Sequence, residues 1–312
     1  MKICFIFSGQ GAQYTGMGKE LYDNFSVCKD VFEEANKSLG FNITDICFND
    51  DARLNETEYT QPAILTTSYA IFKIMQQKGI KADYMAGLSL GEYSALCASG
   101  AIDFRECVAL VRKRGKYMTE AVPVGVGAMS AVLNADENVI NEALEEASTD
   151  TELAMIANYN TSGQIVIAGH TPAIERAENI LREKGIKKVI RLNVSGPFHT
   201  SLLKPASDKL ADELCNIDIK VPTVDVFTNL TGEKVDNIKD TLIKQVMNPV
   251  KWEQTIKNLI NLGVDTFIEL GPAKTLSSFV KKISKEVSVY NVEDLASLEK
   301  TCKGIGENDV KR

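Results

Sequence analysis

Residues 84–92 read Tyr84-Met85-Ala86-Gly87-Leu88-Ser89-Leu90-Gly91-Glu92, and this stretch decides the fold. It begins apolar, as the end of a buried strand does, and its continuation to Ser99 predicts a helix that ends at Gly100. Gly87 and Gly91 each lie two residues from Ser89. A Gly-x-Ser-x-Gly sequence between a strand and a helix is typical of a nucleophile elbow, a sharp turn that lifts the serine hydroxyl clear of the sheet.

The spacing of the two glycines has a steric reason. Side chains two residues before and after the serine would collide in so sharp a turn, and glycine has no side chain. The amide groups at the start of the following helix would also point at an oxyanion formed beside Ser89. The alternative is a glycine-rich loop between strand and helix in which the serine has no catalytic role.

Alternating strands and helices flank the elbow. Residues 3–7 predict a buried strand that ends in the glycine-rich loop 8–13, and Thr60 and Pro62 predict the start of a helix. Later strands are predicted at 224–228, 264–270 and 287–291, with helices between them. This alternation favours a parallel sheet that is covered on both faces.

The pattern changes between residues 125 and 197. Strands are predicted at 126–133, 153–158, 164–168 and 188–194, and helices at 137–147 and 174–184. The order βαββαβ is that of a ferredoxin-like unit. We therefore predict an α/β fold whose parts are a large subdomain (1–124 and 198–300), an inserted small subdomain (125–197) and a flexible tail (301–312).

Composition narrows the class of protein. The chain has 312 residues and a formal net charge of −7, which argues against general nucleic-acid binding. No apolar run approaches the ~20 residues of a membrane span, and no secretory leader is predicted. Seven cysteines occur singly, which favours reduced thiols in a cytoplasmic protein over disulfides or a zinc site.

Only two histidines are available as a base for Ser89. A serine hydroxyl is a weak nucleophile until a base takes its proton, and histidine is the usual base near neutral pH. His170 follows a strand of the small subdomain and precedes a helix, which is typical of a local turn or cap. His199 lies in the polar loop 195–200, where the chain returns to the large subdomain, so we predict that it is the partner of Ser89.

The position of His199 bears on the reaction class. α/β-Hydrolases have the order Ser, Asp or Glu, His, with the histidine late in the chain. Here a long segment follows His199, and no acid between Ser89 and His199 is an obvious third member. This counts against an ordinary esterase. A serine esterase or thioesterase, and a non-catalytic scaffold that only binds a partner, stay open as alternatives.

Arg114 is the candidate for an anion-binding group. At 100° per residue it falls within about 60° of Val111, on the apolar face of the helix predicted from Phe104. A guanidinium on an inward face is costly unless it is paired with a carboxylate or phosphate. The alternatives are a structural ion pair and an arginine that extends past the core to solvent.

In combination, these motifs resemble those of the malonyl-CoA:acyl carrier protein transacylase family, the acyltransferases of fatty-acid and polyketide synthesis. The resemblance extends from Phe7 to about Glu293. Its motifs are Phe7-Ser8-Gly9-Gln10-Gly11-Ala12-Gln13, Thr60-Gln61-Pro62-Ala63, Gly87-Leu88-Ser89-Leu90-Gly91-Glu92-Tyr93, Arg114-Gly115-Lys116-Tyr117-Met118, Pro197-Phe198-His199 and Asn248-Pro249-Val250-Lys251-Trp252. It implies an α/β-hydrolase-like core with a ferredoxin-like subdomain.

The resemblance also implies roles for individual residues. Ser89 would be acylated by malonyl-CoA, with His199 as general base and then general acid. The backbone amides of Gln10 and Leu90 would form the oxyanion hole. Arg114 would pair with the free malonyl carboxylate.

Gln245 and Leu88 are two further positions at which the chain can be set against the family pattern. Gln245 matches a family residue near the catalytic histidine, which the family orients mainly through backbone carbonyls. The family usually has histidine before the nucleophile, where this chain has Leu88, so we expect Leu88 only to pack and some rate or acyl preference to differ.

The implied reaction involves two substrates and no resident cofactor. Malonyl-CoA would load Ser89, and the phosphopantetheine thiol of acyl carrier protein would then accept the acyl group in a ping-pong cycle. We expect no metal ion, nucleic acid or membrane to take part, and we expect a cytoplasmic monomer that serves fatty-acid synthesis. A free-standing acyltransferase that serves a polyketide synthase is the alternative.

Overall fold

The computed structural model describes residues 1–194 and 196–310, and its strands form two sheets. The strands are β1 (Ile3–Phe7), β2 (Tyr84–Gly87), β3 (Gly127–Leu133), β4 (Ala154–Thr161), β5 (Gln164–His170), β6 (Val189–Arg191), β7 (Asp225–Phe227), β8 (Thr266–Leu270) and β9 (Ser288–Val292). The helices are α1 (Lys19–Asn24), α2 (Ser26–Leu39), α3 (Ile43–Phe48), α4 (Thr57–Gln77), α5 (Leu90–Ala98), α6 (Phe104–Ala121), α7 (Glu137–Ala147), α8 (Thr171–Glu183), α9 (Lys204–Cys215), α10 (Ile238–Gln245), α11 (Trp252–Asn261), α12 (Thr275–Ile283) and α13 (Leu295–Val310).

The first sheet is parallel, with strand order β7-β2-β1-β8-β9. Its central strand β1 is buried throughout. Ile3, Phe5 and Phe7 pack into one hydrophobic cluster, and Cys4 and Ile6 pack into another. Because side chains alternate along a strand, this division means that both faces are covered. The predicted α/β fold class is confirmed.

The second sheet is antiparallel, with strand order β4-β5-β3-β6. Its strands and the helices α7 and α8 follow one another in the predicted order βαββαβ, and the two helices pack on the sheet through a separate core. The ferredoxin-like unit is therefore confirmed. The boundaries of the two subdomains stay a prediction, and Ser195, next to one of them, lies outside the described residues.

Backbone hydrogen bonds connect the small sheet to the large subdomain. Val250 accepts a bond from the amide of Tyr159 (2.9 Å) and donates one to the carbonyl of Ala157 (2.8 Å). Both partners belong to β4, the edge strand of the small sheet. The edge of that sheet is thus fixed beside the segment that follows α10.

The elbow at Ser89 has the strained geometry that its sequence predicts. Ser89 has φ 54° and ψ −104°, a combination that L-residues rarely adopt. A Cβ atom on Gly87 would lie 2.0 Å from the carbonyl carbon and oxygen of Gly91, and one on Gly91 would lie 2.1 Å from the carbonyl oxygen of Phe7. Glycine is therefore required at both positions.

The start of α4 differs from the prediction. The helix begins at Thr57, upstream of Thr60, because the carbonyl of Glu56 already accepts the amides of Tyr59 and Thr60 (2.8 Å each). The Thr60 hydroxyl lies 2.6 Å from the carbonyl oxygen of Leu54 and does not cap the helix. Pro62 consequently lies in the second turn.

The carboxyl terminus also differs from the prediction. Helix α13 continues to Val310, where the sequence had predicted a flexible tail from residue 301. Thr301 is buried and donates to the carbonyl of Asn291 (2.9 Å), and Ile305 packs into the main core. These inward contacts offset the weak helix propensity of the nearby glycines. Lys311 and Arg312 lie outside the described residues.

No helix in the described part of the chain combines the length and the apolarity that are needed to cross a bilayer.

We predict that Gly91→Ala destabilises the protein, because its new methyl group would overlap the Phe7 carbonyl and force the elbow from β1. The expected loss is about 3 kcal/mol, the upper end for overpacking. Gly306→Ala is the matched control, since no atom of the described residues, other than its chain neighbours and the nearby backbone of its own helix, lies within 4 Å of its Cβ position. Alanine should stabilise α13 by up to ~1 kcal/mol. Thermal unfolding followed by circular dichroism measures both, and equal midpoints for the two variants would contradict the steric argument.

Candidate active site

The structure brings Ser89 and His199 together although 110 positions separate them in the chain. The Ser89 Oγ atom lies 2.7 Å from His199 Nε2, and His199 Nδ1 lies 2.9 Å from the carbonyl oxygen of Gln245. A carbonyl can only accept, so Nδ1 carries the ring proton and Nε2 is left to accept from the serine hydroxyl. A backbone carbonyl thus orients the imidazole where hydrolases use an acid.

The imidazole is buried and therefore held in its neutral form. Burial and the positive charge of Arg114 lower the pKa of His199 to about 4, although the carbonyls of Gln245 and Asn248 act in the opposite direction. His199 is consequently a neutral base across the whole neutral range. His170 instead accepts the amide of Leu153 on Nδ1 (2.9 Å), which is the local role that its position predicted.

Arg114 is fully buried on α6 beside the nucleophile. Its guanidinium donates to Gln61 Oε1 (2.8 Å), to Gln245 Oε1 (3.0 Å) and to Ser89 Oγ (3.1 Å). Within residues 1–194 and 196–310, no carboxylate lies at salt-bridge distance from this cation, and its Nε has no partner. Burial correspondingly lowers the pKa of Arg114. The guanidinium is a buried cation in need of an anion.

Two amide side chains hold the peptide groups of Ser89. Asn229 Oδ1 accepts from the Ser89 amide (2.6 Å), and Gln245 Nε2 donates to the Ser89 carbonyl (2.8 Å). The Glu92 carboxyl group fixes both of these residues, since it accepts from the backbone amide of Asn229 (2.9 Å) and from Gln245 Nε2 (3.1 Å). Burial raises the pKa of Glu92, against the opposing effect of these hydrogen bonds.

Sequence reasoning identified Gln245 through the resemblance but missed the roles of Gln61, Glu92 and Asn229. Asn229 follows β7, the neighbour of β2, so its position at the carboxyl edge of the sheet is the only signal that could have indicated it. That signal requires the strand order, which a single sequence does not supply. Gln61 and Glu92 lie inside motifs that were noted without a role.

The predicted oxyanion donors lie on two loops that touch. The amide of Leu88 donates to the carbonyl of Phe7 (3.2 Å), and a Cβ atom on Gly9 would lie 2.5 Å from the carbonyl oxygen of Leu88. The loop that carries Gln10 is therefore packed directly on the elbow. Leu90 is the first residue of α5, where backbone amides lack intrahelical acceptors.

A cleft of about 270 Å³ opens onto Ser89 and His199. The loop 8–13, the elbow, the small sheet and α12 all contribute to its walls. Its lining residues include Gln10, Leu88, Met118, Met129, Asn158, Asn160, Gln164, Phe198, Thr275 and Phe279. Leu88 is thus part of an apolar wall, as its residue type predicted. No group of three or more metal-ligating side chains occurs in the part of the chain that the structure describes.

Comparisons with known proteins find relatives over nearly the whole chain. The family model for the acyl transferase domain matches residues 4–309. The malonyl CoA-acyl carrier protein transacylase of Bacillus subtilis is 44% identical over 313 residues, which cover 99% of this chain and 98% of that protein. The crystal structure of the transacylase of that name from Clostridium perfringens superposes with a TM-score of 0.96 at 49% identity, over 99% of both chains.

A third relative is a malonyl-transacylase solved in complex with a type II PKS acyl-carrier protein. It has a TM-score of 0.94 and 38% identity, and the match covers 97% of this chain and 100% of that one. The hydrogen-bonded serine–histidine pair, the buried arginine beside it and these matches lead to one conclusion: the chain belongs to the acyl transferase family that includes the malonyl CoA-acyl carrier protein transacylases.

Proposed function

We propose that the chain transfers a malonyl group from malonyl-CoA to the phosphopantetheine thiol of holo acyl carrier protein. One observation carries this proposal: the hydrogen-bonded pair of Ser89 and His199 lies against Arg114, a buried cation with no carboxylate of the described residues at salt-bridge distance. An acyl group that reaches Ser89 Oγ and ends in a carboxylate supplies the missing anion.

In the first half-reaction, Ser89 Oγ attacks the thioester carbon while its proton moves to His199 Nε2. The carbonyl oxygen becomes an oxyanion, which the backbone amides of Gln10 and Leu90 would stabilise; one such donor is typically worth ~10²–10³ in rate. The tetrahedral intermediate then collapses, the carbon–sulfur bond breaks, and the CoA thiolate takes the proton from His199. Ser89 is left as a malonyl ester.

In the second half-reaction, the thiol of the carrier protein enters the cleft that CoA has left. His199 Nε2 accepts the thiol proton, the thiolate attacks the ester, and the serine oxygen recovers the proton when it leaves. The carbonyl of Gln245 keeps Nδ1 protonated throughout. The cycle is ping-pong, because CoA leaves before the carrier protein reacts.

The remaining features of the proposal follow from this chemistry. The nucleophile, the base and the oxyanion donors are all protein groups, so we expect no resident cofactor or metal ion. We propose a cytoplasmic monomer that supplies malonyl units for fatty-acid synthesis. A second candidate, supply of a polyketide synthase, is favoured by the relative that was solved with a PKS carrier protein. Transfer rates to purified carriers of both kinds, measured side by side, decide between them.

We predict that malonyl-CoA, offered without an acceptor, leaves one malonyl adduct on the wild-type protein and none on Ser89→Ala. Intact-protein mass spectrometry measures the adduct. Adding holo carrier protein should discharge it, with the malonyl group recovered on the carrier. An adduct that forms and is lost to water at the same rate with or without carrier would instead identify a thioesterase. Activity that survives in Ser89→Ala would contradict the assigned nucleophile.

We predict that Arg114→Ala loses malonyl loading far more than acetyl loading. A buried ion pair that loses one partner costs ~3–5 kcal/mol, which corresponds to a change in the malonyl-to-acetyl ratio of a few hundredfold or more. The ratio of kcat/KM values for the two CoA esters measures it. Arg112→Ala is the matched control on the same helix, because Arg112 is partly exposed and pairs with Glu58 (3.0 Å). Equal losses for both esters would refute the role of Arg114.

We predict that protonation of His199 slows acetyl loading of the wild-type protein only below about pH 5, because burial and Arg114 lower the pKa of His199 to about 4. In Arg114→Met the cation is gone, so this acid limb should move to higher pH. The pKa of His199 is near 6.5 in the unfolded protein and about 4 in the folded protein. Between these two pH values the unfolded state binds more protons, so the free energy of unfolding also decreases as the pH falls through that range. Rapid pH-jump, single-turnover measurements separate the two effects, and an unmoved limb would contradict the electrostatic coupling.

A further inference from the structure

The backbone at Ser89 is strained and must be held in place by its surroundings. A non-glycine residue at φ 54° and ψ −104° is in a sparsely populated conformation that persists only where its surroundings hold it. Left free, the elbow would relax and move Oγ away from His199. The groups that form hydrogen bonds with the peptide units on either side of the nucleophile must therefore hold the backbone in this conformation.

One side chain bridges both arms of the elbow. Asn229, which is fully buried, accepts from the Ser89 amide with Oδ1 (2.6 Å) and donates to the Gly87 carbonyl with Nδ2 (2.7 Å). The two bonds need opposite polarity at the two ends of one planar group. Only an amide supplies both, since a carboxylate has no donor and a hydroxyl is too small to span them.

Glu92 anchors this bridge. Its Oε2 accepts from the backbone amide of Asn229 (2.9 Å) and from Gln245 Nε2 (3.1 Å), while Gln245 Nε2 also donates to the Ser89 carbonyl (2.8 Å). Glu92 lies one turn after the nucleophile, on the helix that the elbow starts. Both groups that hold the Ser89 peptide units are thus fixed at a single buried carboxylate.

We propose that Asn229 and Glu92 are positioning residues of the acyl-transfer reaction, which hold Ser89 in its strained conformation and keep Oγ within hydrogen-bond distance of His199. This inference rests on the proposed function and deepens it. The bond to Asn229 also removes the Ser89 amide from the donors that could face the substrate. The oxyanion is left to the neighbouring amides, of which Leu90 lies on the same helix terminus.

The test compares Asn229→Ala and Asn229→Asp with the wild-type protein. Removing the bridge frees the elbow, and a displacement near 1 Å at a reacting atom costs about 10²-fold in rate. We expect the single-turnover rate of Ser89 malonylation to fall about 10²-fold in both variants, while the Kd for malonyl-CoA, measured in a Ser89→Ala background, changes less than threefold. A purely structural role would not split the two quantities in this way.

Asn36→Ala is the matched control. Asn36 also holds a loop backbone with its side-chain oxygen, which accepts from the amide of Ile43 (2.7 Å), but it lies outside the cleft. Its replacement should lower the melting temperature without changing the acylation rate. The carboxamide of Glu92→Gln keeps a hydrogen-bond acceptor, so this variant should keep the acylation rate within a few fold of the wild-type rate. Glu92→Met removes the acceptor, so its acylation rate should fall as in the Asn229 variants.

Two readouts keep this proposal separate from the proposed function. If the wild-type protein takes no malonyl group, the proposed function fails. The positioning role is then still measurable as the rate at which an alkyl fluorophosphonate labels Ser89, since that reaction needs only an activated serine. Folded Asn229→Ala and Asn229→Asp that acylate at the wild-type rate would overturn the proposal. If Asn229→Ala does not fold, the Glu92→Gln and Glu92→Met pair decides, and equal rates for these two would overturn it.

Discussion

The site depends on a backbone constraint at Ser89, whose strained conformation is tolerated only because the parallel sheet brings its supports to one edge. The carboxyl end of β2 leads into Ser89, that of β1 leads into the loop with Gln10, and Asn229 follows β7 on the other side. Neighbouring parallel strands end at the same edge, so residues far apart in the chain meet there. The close contact between Gly91 and Phe7 then fixes the elbow against β1.

The electrostatics of the cleft turn on Arg114, which has two opposing effects. Its buried charge attracts an anion and at the same time lowers the basicity of His199. A substrate carboxylate bound at the guanidinium would offset that charge, which removes one of the two causes that lower the pKa of His199 and leaves the larger one, burial. In the proposed reaction, the group that pairs with the acyl carboxylate would thus also make the base stronger when that chain is bound. An acetyl group, without a carboxylate, leaves the base weakened.

The sequence predicted those features that arise from local patterns. The elbow, the βαββαβ order and the inward position of Arg114 follow from glycine spacing and hydrophobic periodicity, and the scarcity of histidine directed attention to His199. The sequence alone could not predict the roles of Asn229 and Glu92, because these roles depend on which strands are neighbours in the sheet. The helical end of the chain was missed for a similar reason. The burial of Thr301 and Ile305 against distant elements outweighs the local glycine content.

The absence of an acid in the order expected of hydrolases now has a physical explanation. Gln245 orients His199 through its carbonyl and contacts Arg114 through its side-chain oxygen, so both neighbours are satisfied by a neutral residue. A carboxylate at this position would pair with Arg114 and occupy the cation that the proposed substrate needs. It would also raise the pKa of the imidazole permanently, whether or not substrate was bound. A neutral orienting group therefore leaves the charge of Arg114 available for the acyl group itself.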